Sequence, residues 1–133
     1  MDIMINNFSD LIRMATEQQD AQRMLLLFAS AESEGKSPDQ QSERGTLSPV
    51  MCVDKLPTDI KSFKALVAEA DAISAEWDMM FVAGLSGKGQ IAPSEKDAEP
   101  YLNKMTSDIK TGQDLSQYLV FDRAENLLMF DRQ

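Results

Sequence analysis

Apolar residues at Phe8, Leu11, Ile12 and Ala15 recur at the three-and-four spacing of one helical face. They predict a short amphipathic helix whose first turn the side-chain oxygen of Asn7 or Ser9 can cap. The pattern then changes. RMLLLFASA, Arg23 to Ala31, is an apolar run without alternation, which is how a strand covered on both faces reads, and it predicts the central strand of a sheet. From Glu32 to Ser48 the chain is polar and broken by Gly35, Pro38 and Gly45. It holds too little apolar surface to order itself by burial, so 32–48 reads as a mobile loop.

A second strand is predicted around Val50 to Asp54. Pro57 and Thr58 then open a helix with the apolar face Ile60, Phe63, Leu66, Val67, Ala70 and Ile73. A third strand follows at Asp78 to Ala83, and after a glycine-rich turn comes a helix bearing Ala98, Leu102, Met105 and Ile109. With Asp97 as its N-cap, Pro100 would fall among the positions whose N–H a helix start leaves unpaired, and Gly112 suits its end. In YLVFDRAENLLMF two apolar runs flank Asp122 to Asn126, the pattern of an antiparallel hairpin. The succession predicts an α/β fold: a mixed, roughly five-stranded sheet with three helices and a C-terminal antiparallel hairpin. Crossovers after the second strand are expected to make parallel neighbours.

Composition narrows what such a fold can do. A chain of 133 residues fits one domain spanning 1–133. The 13 Lys and Arg against 22 Asp and Glu leave a formal charge of -9, which repels phosphate backbones and anionic membranes where no basic run overrides it. Nucleic acid and membrane are therefore not expected as partners, and another protein is. Mimicry of nucleic acid wants denser acidic stripes than this sequence has, so the charge reads as solubility. The longest apolar run, Met24 to Ala29, is too short for a bilayer, and MDIMINNFSD has no basic region ahead of an apolar one; a cytoplasmic protein is expected.

Candidate chemistry is sparse. With no histidine, Ser-His and Cys-His pairs and imidazole acid/base work are excluded. Cys52 is the single cysteine, so no internal disulfide exists; within a strand pattern it reads as a buried, slowly reacting thiol, with Lys55 the nearest cation in sequence. The nine Met are scattered through core-like runs and read as gap-fillers. Asp54, Asp59 and Asp78 could gather a divalent cation only if strand ends meet, and no metal-loop spacing joins them.

The stretch GLSGKGQ lacks the four-residue gap of a Walker loop, and Gly89 stands where the magnesium-binding hydroxyl belongs. It reads as a connection, not a nucleotide cradle, and no cofactor is expected. Ser86, Lys88 and Gln90 nevertheless follow a strand's carboxyl end, where open α/β sheets place binding crevices. They are the candidate contacts for a ligand or partner.

LLLFASAE, PVMCVDKLP, FVAGLSGKGQIAPS and the closing YLVFDR together resemble a family of short bacterial proteins of unassigned activity, some labelled "ribonucleotide reductase subunit alpha". The activity in that label needs a large barrel, a radical-forming cysteine and a pair of reducing cysteines. A chain of 133 residues with Cys52 alone does not supply them, and reductase catalysis is rejected. The expected function is a non-catalytic interaction or regulatory module of the bacterial cytoplasm. The alternative is a small-ligand-binding protein or minor enzyme using the crevice at 84–90.

Overall fold

The apolar run at the start of the chain becomes the strand around which the rest is arranged. In a computed structural model describing residues 7–32, 46–112 and 115–128, strand β1 (Gln22–Glu32) lies between β2 (Thr46–Lys55) and β3 (Met79–Ser86). Beyond β3 come β4 (Leu119–Asp122) and β5 (Leu127–Leu128), giving a five-stranded sheet of order β2-β1-β3-β4-β5. Helices α1 (Phe8–Thr16) and α2 (Phe63–Ile73) cover one face and α3 (Glu95–Thr111) the other. The α/β fold, the five strands, the three helices and the terminal β4-β5 hairpin agree with the sequence pattern.

Strand direction differs from expectation. All four strand pairings among the described residues are antiparallel, so none of these strands has a parallel neighbour among them. β2 and β3 do run the same way, since each is antiparallel to β1, and α2 does connect them. However, β1 occupies the place between them. Alternation of strand and helix reports the direction of consecutive strands; it does not report an earlier strand inserted between them.

Because side chains alternate across a strand, β1 feeds two cores. Met24, Leu26 and Phe28 pack with Phe8, Phe63 and Trp77 under α1 and α2, while Leu25, Leu27 and Ala29 pack with Ala98, Met105 and Ile109 under α3. Phe8 stands edge-on to Phe63 at 5.4 Å and to Phe121 at 5.6 Å, which fastens the short α1 to both α2 and the sheet. Its start is capped twice: the Asn7 side chain accepts from the Asp10 N–H, and Glu125 Oε2 of the β4-β5 turn accepts from the Phe8 N–H.

Element boundaries move for local reasons. Pro57–Asp59 forms only a 3-10 turn, and α2 starts after Ser62, whose Oγ accepts from the Ala65 N–H. This shift leaves Ile60 buried ahead of the helix and Ile73 exposed at its end. In α3 the cap is Ser94, not Asp97. Ser94 Oγ accepts from the Asp97 N–H and the Asp97 carboxylate accepts from the Ser94 N–H. Pro100 therefore sits inside the helix, past its first turn. Of the expected loop 32–48, Glu32 belongs to β1 and Thr46 to Ser48 to β2; 33–45 lie outside the described residues.

Candidate functional site

The glycine turn after β3 is held by its own backbone. Lys88 N–H donates to the Ile91 carbonyl at 3.0 Å and Ile91 N–H to the Lys88 carbonyl at 2.9 Å, closing a two-residue turn over Gly89 and Gln90. Gly89 has φ of +58° and Gln90 a negative φ, the arrangement of a type II′ turn with glycine first. Gly87 N–H donates to the Ala21 carbonyl, Ala21 N–H to the Gly89 carbonyl, and Gly89 N–H to Asp20 Oδ1. A Cβ on Gly87 would collide with the Ile91 carbonyl oxygen, a backbone atom that cannot give way, so this position admits glycine only. The amides that would cradle a phosphate are thus engaged, one of them by a carboxylate.

Among the sequence candidates, Ser86 accepts from Gln22 Nε2 at 2.7 Å, while Lys88 and Gln90 project from the exposed tip of the turn. The expectation of a crevice here rests on open α/β sheets placing binding sites at the carboxyl ends of their strands, a rule drawn from parallel sheets, and the pairings on both sides of β3 are antiparallel. Cys52 is exposed, contrary to its pattern. It faces the α3 side opposite Leu27 but on the outermost strand, and it belongs to neither core. Lys55 is paired with Glu69 at 3.0 Å. Asp54 and Asp78 lie toward opposite ends of β1: Asp54 binds Arg23, and Asp78 Oδ2 accepts from the Ala31 N–H. Among the described residues no three carboxylate or thiol groups converge as metal ligands.

A depression of about 350 Å³ does form beside β3, between α1 and the sheet. Its floor is Met24, Val82, Gly84 and Leu119, its outer wall Leu11, Met14 and Ala15, and the amides of Gln18, Gln22 and Gln117 stand around it. Register explains the floor. Gly84 lies opposite Met24 and Leu119 opposite Val82, so all four point to the α1 face. The missing side chain at Gly84 leaves the trough open, and a Cβ there would meet only Gln22 Oε1, at 3.1 Å. Gln22 lies across this end of the strand, its Nε2 donating to Ser86 Oγ and to the Asp20 carbonyl at 3.0 Å. Ser86 thus acts on the trough through Gln22. The sequence pattern ends the third strand at Ala83 and gives Gly84 to the turn, whereas β3 runs on to Ser86 and makes Gly84 a glycine inside a strand, whose meaning depends on which residue stands opposite.

Two polar clusters brace the surroundings. Arg23 donates from Nε to the Pro93 carbonyl at 2.6 Å and from Nη1 to Asp54 Oδ2 at 2.7 Å, tying β1, β2 and the start of α3 together. Asp108, the buried acid of α3, accepts from Tyr118 Oη at 2.6 Å, Lys104 Nζ at 2.8 Å and Gln117 Nε2 at 3.4 Å. Burial pushes its carboxyl up, but the hydrogen bonds from Lys104 and Tyr118 and the Lys104 charge outweigh that and hold it below the ordinary value. Tyr118 is pushed the other way, upward, by burial first and then by the Asp108 carboxylate. Every buried side-chain nitrogen and oxygen among the described residues has a partner. No helix among them is long and apolar enough to cross a membrane. No family model matches the chain, and no curated protein or solved structure matches it significantly.

Proposed function

We propose that this protein is a non-catalytic interaction module whose trough between α1 and the sheet receives an apolar side chain of a partner protein. The trough itself carries the reading. Leu11, Met14 and Leu119 offer apolar surface over a floor closed by the buried Met24 and Val82, and methionine adapts its shape to different guests. The polar groups around them are neutral amides, which suit an apolar anchor with backbone polar groups beside it better than an ion. The buried ionisable pair, Asp108 and Tyr118, is engaged in its own hydrogen bonds, which supports a structural role for it.

Gly84→Leu tests the reading, because it fills the trough from an exposed strand position where an added Cβ meets only the flexible Gln22 side chain. The melting temperature should stay within a few degrees of wild type, since surface substitutions usually change stability by about 0.5 kcal/mol or less. A partner captured by wild type, purified and titrated back, should lose at least about tenfold in affinity for the variant, roughly the loss of one well-buried anchor. Equal affinity for both proteins would remove the trough from the interaction. Saturation of the trough by a small apolar molecule, blocked by the same variant, would favour ligand binding instead.

A further inference from the structure

We infer that the open edge of β2 is a second binding surface, on which an extended peptide segment carrying alternate Lys or Arg residues adds an antiparallel strand to the sheet. This surface is independent of the trough, which lies on the α1 face. The direction of the edge groups follows from the hydrogen bonds of β1. The Ala29 carbonyl accepts from the Asp78 N–H, and Ala21 exchanges hydrogen bonds with Gly87 and Gly89. Odd residues of β1 therefore turn their backbone groups toward β3, and Met24, Leu26 and Phe28 turn theirs toward β2. Their opposites Lys55, Val53 and Met51 face back to β1, so the N–H and C=O of Cys52 and Asp54 point outward. Neither residue has a backbone partner on that side among the described residues.

An edge of this kind is a template for another strand unless it is blunted. Among the described residues, blunting is confined to the first half of β2, where Pro49 precedes the irregularity in pairing between Phe28 and Ala29. From Met51 to Lys55 the ladder is regular. The charge beside this half selects the guest. Glu95, Glu99 and Leu102, on one side of α3 at four- and three-residue spacing, form with Asp54 and Lys96 a depression of about 460 Å³. Asp54 is already neutralised by Arg23, so Glu95 and Glu99 outweigh Lys96. Guest residues opposite Cys52 and Asp54 would point to this same α3 side, where basic side chains meet the two glutamates. A second copy of the chain fits worse, because pairing two β2 edges would set Glu95 and Glu99 against their own counterparts.

The test uses a fluorescein-labelled peptide of about eight alternating Lys and Val residues, a usual strand length, titrated by anisotropy at about 0.15 M salt. Glu-Val and backbone N-methylated Lys-Val peptides serve as controls. Lys-Val should bind, Glu-Val should not, and N-methylation or Cys52→Pro should each weaken binding by about tenfold, as expected for lost edge hydrogen bonds. Glu95→Lys with Glu99→Lys should reverse the preference to Glu-Val, and Gly84→Leu should leave binding unchanged, which separates this surface from the trough. If Cys52→Pro fails to fold, the N-methylated peptide on wild type decides the same point. Binding indifferent to N-methylation would show charge attraction without strand addition and overturn the proposal. So would a dimer in sedimentation that Cys52→Pro dissociates, since a second copy would then hold the edge.

Discussion

At the scale of single residues, burial and partners decide what the sequence left open. Cys52 read as buried because its neighbours are apolar, yet a strand's covering depends on where it stands in the sheet, and β2 is outermost. A thiol reagent should therefore label native Cys52 at a rate close to that of the unfolded protein; labelling only after denaturant is added would contradict its exposure. Asp108 and Tyr118 make the opposite point, as nothing in the spacing of the sequence announces that a helix acid and a tyrosine ten positions on will meet. Asp108 titrates below the ordinary 3.8, so its contribution to stability is complete above that value and is lost as pH falls through the folded one. Tyr118 titrates above the ordinary 10.0; its contribution is complete below pH 10.0 and is lost as pH rises beyond it. Asp108→Asn should lower stability at neutral pH by about 1 to 3 kcal/mol and flatten both limbs of a stability profile measured by urea unfolding. A variant profile parallel to wild type at both ends would place the pH dependence elsewhere.

At the scale of elements, the kind of each segment was legible and its ends and direction were less so. The face Phe63, Leu66, Val67 and Ala70 identified α2 because helical spacing needs no knowledge of the partner. Its start was not legible, because Pro57 suits a 3-10 turn as well as a helix and the Ser62 cap lies five residues on. The glycine turn shows the same limit: its residues announced a turn, but only the contact with Asp20 and Ala21 makes it a clasp between the start of β1 and the end of β3. Pro100 gives this scale its prediction. It removes the N–H that would bond the Lys96 carbonyl, in a helix capped at Ser94. Pro100→Ala should stabilise the protein by about 1 to 3 kcal/mol, up to the full propensity difference between the two residues, seen as a higher melting temperature. A lower one would show that the proline relieves strain that the helix otherwise carries.

At the scale of the whole molecule, β1 has a consequence that can be put as parity. Even positions from Met24 to Phe28 belong to the aromatic core that contains Phe8, Phe63 and Trp77, and odd positions from Leu25 to Ala29 to the core under α3. The assignment of each residue to a core therefore depends on counting. One alanine inserted between Leu26 and Leu27 leaves composition almost untouched, yet it exchanges the two sets from that point on. Phe28 would turn away from Trp77, now 4.9 Å from it edge-on, and Leu27 and Ala29 would be left to fill its place. Such a chain should lose its cooperative thermal transition, whereas the same insertion between Gln18 and Gln19, both exposed ahead of the strand, should keep it. The two cores are thus specified by one interleaved text, and a shift of a single letter garbles both at once.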